Sequence, residues 1–403
     1  MFNRIVLFSS ISLLFFAGQN AQANQQYDGL YGGAKLGAGT SVHGIKGGGH
    51  SYDGLIGLSG AELSFFTGYG ITKDDLYAGL EFDLAKSNVD FKYSSGSDGV
   101  ELSHDWSASL SGRIGMISED DTLVYAKLGA GRGAIDGGYV DFPTKYGVDE
   151  QLTFVNVGVG FESILSKNLR FRGELEIKDY DSFTLNFTGT PINLSPFYVA
   201  ASLGLVYSFG ESASSSKVAR LRYNKSSSKQ FDGFYIAPHI GYEYAPISIN
   251  PGYKELPSSG ASFGLDIGWG MLYHGWFLGA EISADKEEVV SNVESGSSEY
   301  DLLELSNTRR ISAKLGYPLS TSTMVYGVAG RTKSKFEIND DTSRLYSEDV
   351  DGWHAGIGVE SVMAGGFSLT GRYIYTDYDK LGNPFSNYGL EKSSFQAGVL
   401  FRF

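Results

Sequence analysis

The last stretch of the chain limits the possible fold more than any other, because two kinds of side chain alternate along it residue by residue. Every second residue between 393 and 403 is apolar, namely Phe395, Ala397, Val399, Phe401 and Phe403. The residues between them are mostly polar or small, which is the period of a β-strand with two unlike faces. A similar stretch runs from Phe197 to Phe209, near the middle of the chain. The sequence therefore predicts strands with one face in an apolar environment, and it predicts this pattern twice.

Composition argues against several classes of function. The 403 residues include 26 Tyr, 26 Phe and 54 Gly, a mixture that is unusual for a water-soluble enzyme. The net charge of -14 argues against a nucleic-acid partner, because phosphate binding needs clustered Lys and Arg. The lack of cysteine excludes disulfides, thiolate metal ligands and thiol catalysis. We expect no cofactor and no metal centre.

The amino terminus predicts export. Residues 1–23 combine Arg4, an apolar run from Ile5 to Ala17 and an Ala21-Gln22-Ala23 cleavage pattern, so we predict a signal peptide that ends before Asn24. The apolar run is too short for a membrane-spanning helix, which needs about 20 residues. An exported bacterial chain that alternates like a strand protein is predicted to lie in the outer membrane.

Runs of strand length are joined by connections of two kinds. We predict eight strands between Leu30 and Phe209, with tight turns such as 72–75 and long Gly-rich loops such as 42–59. This layout is typical of transmembrane barrels with periplasmic turns and extracellular loops. The second half repeats the first, as in Phe231-Asp232-Gly233 and Tyr27-Asp28-Gly29, and again contains eight predicted strands.

The predicted organisation is a barrel over 24–209, a basic Ser-rich periplasmic linker over 210–230 and a second barrel over 231–403. The linker composition is too polar to form a core of its own. The structural alternative is one sixteen-stranded barrel with an aqueous pore. The length of the linker favours two barrels, because the other predicted periplasmic turns are only a few residues long.

Each half resembles the eight-stranded OmpA-like membrane domain and the related opacity-type, or porin family, surface proteins of Gram-negative bacteria. The likeness is carried by Ser312 to Pro318, Gly158 to Glu162 with Arg172, Gly356 to Glu360 with Arg372 to Tyr378, and the terminal aromatic strand. The peptidoglycan-binding domain that follows the barrel in OmpA has no counterpart here. The resemblance implies an all-β fold of two tandem antiparallel up-and-down barrels. It also implies that Phe395, Phe401 and Phe403 form a C-terminal signal for the outer-membrane assembly machinery and periplasmic chaperones.

The family also places charges inside the barrel, and strand parity locates them in this sequence. The residues predicted to face inward are Glu81, Arg113, Glu162 and Arg172 in the first half and Glu281, Lys314, Glu360 and Arg372 in the second. Buried ions must pair, because breaking one such pair typically costs ~3–5 kcal/mol. We interpret the two clusters as barrel cores. The functional alternative is that they gate a small ion path by exchanging partners.

Two weaker signals remain. His104 and Asp105, with Ser103 beside them, have the residue types of a hydrolase or acyltransferase site. We expect instead a half-exposed structural histidine and no enzyme activity. Acidic groups in predicted outer loops, including Glu287-Glu288 and Asp340-Asp341, have the oxygen ligands that Ca²⁺ and Mg²⁺ take. Their spacing is not that of an ordered calcium loop, so we expect solvated loops.

The predicted function is a non-enzymatic outer-membrane surface protein that supports envelope integrity, with an adhesive role for its loops and at most small-ion permeability. The alternatives are a porin-type channel for small hydrophilic solutes and, with less support, a lipid-modifying enzyme. The expected partners are outer-membrane lipids, lipopolysaccharide and an extracellular ligand at the loops.

Overall fold

The computed structural model describes residues 25–47, 50–95, 98–118, 122–141, 144–187, 190–209, 230–249, 256–295, 298–339, 343–363, 366–383, 385 and 388–403. The predicted signal peptide lies outside these residues, as does the predicted linker apart from Gln230. In the described part, no helix is long and apolar enough to cross a bilayer.

The described residues form a short 3-10 helix, Gln25–Tyr27, followed by strands that account for most of the chain. The strands are β1 Gly29–Gly47, β2 His50–Lys73, β3 Leu76–Ser95, β4 Asp98–Ile117, β5 Thr122–Asp141, β6 Thr144–Ile164, β7 Leu169–Tyr180, β8 Phe183–Phe187, β9 Thr190–Ser208, β10 Gly233–Ile249, β11 Leu256–Tyr273, β12 Trp276–Glu287, β13 Val289–Ser295, β14 Ser298–Pro318, β15 Thr323–Asn339, β16 Arg344–Val362, β17 Phe367–Tyr378 and β18 Tyr388–Arg402.

The strands close into two antiparallel barrels. In the first, each strand from β1 to β6 pairs with the next, and β9 returns to pair with β1. In the second, β18 returns to pair with β10. Two bent strands are divided: β7 and β8 together face β9, and β12 and β13 together face β14. Each barrel therefore has eight strands, and the sixteen-stranded alternative is wrong because β1 pairs with β9 and β10 with β18.

The repeated Asp-Gly motif begins each barrel. Gly29 and Gly233 have φ of 92° and 120°, a conformation that strongly favours glycine. A Cβ on Gly233 would lie 2.2 Å from the carbonyl oxygen of Phe403. Asp28 and Asp232 accept hydrogen bonds from the Thr72 hydroxyl at 2.6 Å and the Leu272 amide at 2.5 Å. The motif thus fixes the first strand of each barrel to the end of the second.

The outer surface carries an apolar belt near the tight turns, which mark the periplasmic end. Leu36, Leu80, Ile114 and Ile311 point outward and are 63%, 62%, 67% and 69% exposed. A strand of 20 residues such as β3 is roughly 65 Å long, whereas the apolar band of such barrels is only about 25 Å tall. At a tilt of about 40°, roughly half of the strand height therefore projects beyond the belt on the extracellular side.

Much of the predicted long loops is consequently strand. Residues 42–59, predicted as one loop, lie mostly in the β1–β2 hairpin and pair as far as Gly47 and His50. The loops are Gly-rich, which lowers strand propensity. Ladder hydrogen bonds between neighbouring strands still satisfy their backbone groups.

The two barrels contact each other through corresponding faces. Near the periplasmic end, the hydroxyls of Thr122 and Ser322 lie 3.2 Å apart, as do those of Ser163 and Ser320. Near the extracellular end, the rings of Phe197 and Tyr242 are 5.8 Å apart. The outward-facing apolar residues of β7 and β17 are at most partly exposed, unlike those of the belt elsewhere. A short ladder between β2 and β13 also joins the two extracellular hairpins.

Candidate functional site: the ion-pair interior of each barrel

The four charges predicted inside the first barrel form one alternating cluster. Arg113 lies 3.1 Å from Glu81 and 2.6 Å from Glu162, and Arg172 lies 2.8 Å and 2.7 Å from the same two carboxylates. The four side chains are 0–1% exposed. Tyr31 donates a hydrogen bond to Glu81 and accepts one from Arg113. Each ion is therefore held by two opposite charges, with no access for bulk water.

A second tier of charges lies directly above the first. Lys35 contacts Asp83 at 2.8 Å and Glu174 at 2.6 Å. Lys127 is 3.3 Å from Glu174 and 3.5 Å from both Glu176 and Glu81, so it links the two tiers. Strand parity places Lys35, Lys127 and Glu174 on the inner face, and the register of the closed barrel brings them into contact.

The network ends above and below with two further pairs. Toward the extracellular side, Lys178 lies 3.1 Å from Glu62, which also accepts a hydrogen bond from Tyr198 at 2.8 Å. Toward the periplasmic side, Arg170 lies 2.7 Å from Glu162. The buried cations of the described first barrel are Lys35, Arg113, Lys127, Arg170, Arg172 and Lys178, and the acids they contact are Glu62, Glu81, Asp83, Glu162, Glu174 and Glu176. Six positive charges thus meet six negative ones.

Apolar layers enclose this network at both ends. The periplasmic layer contains Tyr27, Tyr77, Ile117, Leu123, Tyr125 and Ile164. The extracellular layer contains Leu58, Val89, Phe91, Leu102, Ile135, Leu152, Phe154, Tyr180, Phe183, Leu194, Tyr198 and Ala200. An ion crossing the barrel would have to leave water at both layers, which is unfavourable for an unpaired charge. The described interior of the first barrel is therefore a packed core.

The four charges predicted for the second barrel separate into two groups. Arg372 lies 2.6 Å from Glu281 and 2.8 Å from Asp266. Glu360 is 3.6 Å from Lys314 and 2.6 Å from Arg402. The two groups are separate because the position that corresponds to Arg172 is occupied by Thr370, which carries no charge. The hydroxyl of Thr370 lies 2.8 Å from that of Tyr326. Lys314 packs on that ring, with its Nζ 3.9 Å from the centre.

A histidine links two acids in the second barrel. His239 Nε2 lies 2.6 Å from Asp285, and its Nδ1 lies 3.2 Å from Asp266. The Nε2 contact has hydrogen-bond geometry, whereas the Nδ1 contact with Asp266 is an ion-pair distance without hydrogen-bond geometry. A carboxylate close to each ring nitrogen favours the positively charged imidazolium form. Arg310 approaches Asp285 at 2.7 Å from the other side. The geometry therefore fits a charged His239.

The balance of charges inside the second barrel also indicates that His239 is protonated. The acids that face the interior of the described second barrel are Glu243, Asp266, Glu281, Asp285, Glu287 and Glu360, and the permanent cations beside them are Arg310, Lys314, Arg372, Lys392 and Arg402. Glu337 is also buried, but it lies on the outer face of β15 and pairs with the more exposed Lys335 and Arg344. Six acids face five permanent cations, and a protonated His239 supplies the sixth positive charge. The sequence reasoning missed His239, Asp266, Asp285, Arg310 and Lys392, although their positions on the inner face could have been found by parity.

Glu287 corrects an earlier expectation. The sequence places it in an acidic outer loop, but its side chain is 0% exposed and lies 2.7 Å from Lys392 inside the barrel. It ends β12 on the inner face, and Glu288, between β12 and β13, is exposed. Asp340 and Asp341 lie outside the described residues. Within the described residues, no group of three or more His, Asp or Glu is arranged to hold a metal ion.

The second barrel is also closed by apolar layers. The periplasmic layer contains Phe231, Phe277, Met324, Tyr326, Val328, Val362 and Ile374. The extracellular layer contains Ala245, Ile247, Val289, Leu303, Leu305, Phe336, Ile338, Val350, Tyr378, Leu381 and Leu390. Both halves therefore repeat one design, a balanced ion-pair network between two apolar layers.

His104 occupies the upper interior of the first barrel. It is 4% exposed, and its Nε2 lies 2.9 Å from the Ser41 hydroxyl. Asp105 points outward and pairs with Lys86, while Ser103 donates to the carbonyl of Asp136. A cavity of about 10 Å³ beside His104 has room for one water molecule at most. The half-exposed position expected for this histidine is wrong, and His104, Asp105 and Ser103 do not converge.

The three C-terminal phenylalanines occupy different environments. Phe401 and Phe403 are 46% and 77% exposed at the periplasmic end of β18. Phe395 also points outward, but it is 3% exposed and packs on Tyr373. Its strand partner Tyr242 contacts Phe197 of the first barrel, so Phe395 lies in the face between the barrels.

Comparison with known proteins agrees with this architecture. The family model of the outer membrane protein beta-barrel domain matches residues 8–209 and again residues 213–403. A search of curated protein sequences gave no match.

Several solved structures are similar to parts or all of the chain. Neisserial surface protein A has a TM-score of 0.32 and 17% identity, with 43% of this chain and 98% of that chain covered. Ail, the attachment invasion locus protein of Yersinia pestis, in complex with the heparin analogue sucrose octasulfate, has a TM-score of 0.28 and 15% identity, with 42% and 99% covered. The Pseudomonas putida toluene transporter TodX has a TM-score of 0.29 and 10% identity, with 93% and 89% covered.

Proposed function

The chain belongs to the outer membrane protein beta-barrel domain family, and from that premise we propose that it is a non-conducting structural protein of the outer membrane. Its two barrels act as one rigid unit that supports envelope integrity. Its extracellular hairpins present a surface on which an extracellular ligand binds.

The observation that carries this proposal is the closed interior. A diffusion channel needs a lumen in which water reaches the charged side chains. Here Glu81, Arg113 and Lys127 are completely shielded, and Glu281 and Arg372 are 3–4% exposed. Opening a path would require buried ion pairs to separate and would leave uncompensated charges in the interior, which is strongly unfavourable. This barrier favours the structural role over a porin-type channel.

The extracellular part of the barrels supports the surface role. The apolar layers above the ion pairs form a core for the projecting strands, so the hairpins are held in place without contact with lipid. The β2–β13 ladder joins the two sets of hairpins. A rigid, joined platform lowers the entropy that a ligand complex loses on binding.

We propose no catalytic activity. A hydrolase or acyltransferase needs a nucleophile, a base and access for substrate. His104 and Ser41 are 4% and 0% exposed, which opposes access. His104→Ala should therefore leave the lipid profile of cells unchanged, and an altered acylation pattern would contradict this part of the proposal.

A deletion strain tests the proposed function directly. We expect greater sensitivity to bile salts and faster entry of a hydrophobic dye, with unchanged uptake of a small hydrophilic solute. The full chain supplied from a plasmid should restore resistance. Slower uptake of the hydrophilic solute, with an intact barrier to the dye, would instead support the porin alternative.

A further inference from the structure

Four exposed cations lie together on the outside of the second barrel. They are Lys286 on β12, Arg309 on β14, and Arg331 and Lys333 on β15. Arg309 is the direct strand partner of Lys333. On the opposite side of β14 from β15, Arg309 is the strand partner of Ala284 on β12, and Lys286 lies two residues further along β12. Directly paired residues are about 5 Å apart and diagonal ones about 7–8 Å, so these residues form one basic patch across three neighbouring strands.

Among the described residues, two of the four charges of the basic patch are unpaired, and the other two form exposed ion pairs; Lys333 also has the exposed Asp351 as its direct strand partner. In the described part of the chain, Lys286 and Arg309 have no ion-pair partner. Arg331 lies 3.7 Å from Asp379 and Lys333 lies 3.2 Å from Asp349, with all four side chains 52–68% exposed. Exposed pairs of this kind are weak. The patch also stands out against a chain whose net charge is -14.

The patch lies at the upper edge of the apolar belt. On the same outer face, Ile282 lies four residues closer to the periplasmic end than Lys286, and Ile311 lies two residues closer than Arg309. The two isoleucines are 55% and 69% exposed. Trp353, the strand partner of Arg331, is 44% exposed. Aromatic residues commonly mark the membrane interface of barrels. The cations therefore lie where the headgroups of the outer leaflet meet the barrel.

The first barrel provides an internal comparison. Its ladder pairs Ala108 with Arg132 and Leu110 with Ala130, at the positions that correspond to Arg309 with Lys333 and Ile311 with Arg331. Two of the four cations of the patch thus have alanine counterparts. The counterpart of Lys286 is Lys86, which pairs with Asp105.

We infer that the basic patch of the second barrel binds the phosphate groups of a phosphorylated outer-leaflet lipid, whose acyl chains lie on Ile282 and Ile311. Arginine donates two parallel hydrogen bonds to a phosphate. Arg331 already pairs with Asp379, so Arg309 is the central contact. The first barrel lacks this site. The inference is independent of whether the barrels conduct.

The test uses the intact protein in phosphatidylcholine nanodiscs and measures binding of bisphosphorylated lipid A. The patch variant is Arg309→Gln with Lys333→Gln, and the matched control is Lys86→Gln with Arg132→Gln. Each cation near an anionic lipid surface contributes about fivefold in affinity, so the patch variant should bind about 25-fold more weakly. The control should bind within about twofold of the unaltered protein. Unchanged heat-modifiable gel migration establishes that each variant is folded.

Three outcomes would overturn the inference. The first is equal weakening in the patch variant and the control, which would indicate nonspecific attraction. The second is undiminished binding of lipid A after its phosphates are removed. The third is displacement of lipid A by inorganic phosphate at equal concentration, because a lipid site should prefer the amphiphile. The expected affinity should also fall with salt, as exposed charge interactions are screened.

Discussion

Replacing Glu81 by glutamine should destabilise the first barrel strongly, because it removes one carboxylate from a balanced network. Glu81 lies 3.1 Å from Arg113, 2.8 Å from Arg172 and 3.5 Å from Lys127, and water reaches none of these groups. The variant leaves six cations facing five acids in the described interior. Breaking a buried pair typically costs ~3–5 kcal/mol, or about two to four orders of magnitude in the folding equilibrium constant.

The double variant Glu81→Gln with Arg113→Gln separates charge balance from the loss of contacts. It restores five cations and five acids, so its loss of stability should be smaller than the sum of the two single losses. Contacting residues typically show coupling of ~0.5–3 kcal/mol, and we expect a value in the upper half of that range. Solute permeability should not change.

The assay is urea unfolding of the full chain in lipid vesicles, followed through Trp106. Trp269, Trp276 and Trp353 are first replaced by phenylalanine, so that the fluorescence reports the first barrel alone. Strictly additive losses would refute the coupled network. A single variant within 1 kcal/mol of the parent would refute the claim that the interior excludes water.

Three further predictions concern the second barrel and the contact between barrels. His239→Leu should destabilise the second barrel by ~3–5 kcal/mol and His239→Lys by less, as measured by urea unfolding, because only lysine keeps the positive charge; equal losses would argue against an imidazolium. Ser163→Cys with Ser320→Cys should form a disulfide on mild oxidation, seen as a gel shift that reductant reverses, since the two hydroxyls lie 3.2 Å apart; absence of the shift would contradict side-by-side barrels. Phe395→Ala should lower stability by ~3–5 kcal/mol, whereas Phe401→Ala should chiefly lower the amount inserted by the assembly machinery; the reverse pattern would refute the assignment.

Strand parity predicted the inner face of both barrels because the side-chain period of a strand is two. Glu81, Arg113, Glu162 and Arg172 all follow from that rule. Parity does not give the register between strands, so it cannot say which charges meet. The pairing of Arg372 with Glu281 is an example. Arg372 lies on β17 and Glu281 on β12, and these two strands are not neighbours in the barrel.

Irregular strands account for other errors. The ladder between β4 and β5 shifts between His104 and Ser107, where one extra residue enters β4. A bulge of this kind reverses the faces beyond it. His104 therefore points inward although parity counted from Arg113 places it outside. A sequence pattern cannot locate such a bulge, because it depends on the partner strand.

Contacts between the barrels were the least predictable feature. Phe395 and Phe401 alternate on the same side of β18, so the sequence predicts one apolar environment for both. The alternation of one strand reports an apolar environment and does not distinguish lipid from a second barrel. Thr122 and Ser163, which are buried near the periplasmic end, gave no signal in the sequence for the same reason.

Single-channel recording of the intact protein in planar bilayers tests the central claim most directly. The disulfide between Ser163→Cys and Ser320→Cys can hold the barrels together during the measurement. A membrane that contains folded protein should show no steady open level, because apolar layers close both ion-pair networks. A steady, ohmic conductance from the oxidised protein would contradict the account and would favour a channel.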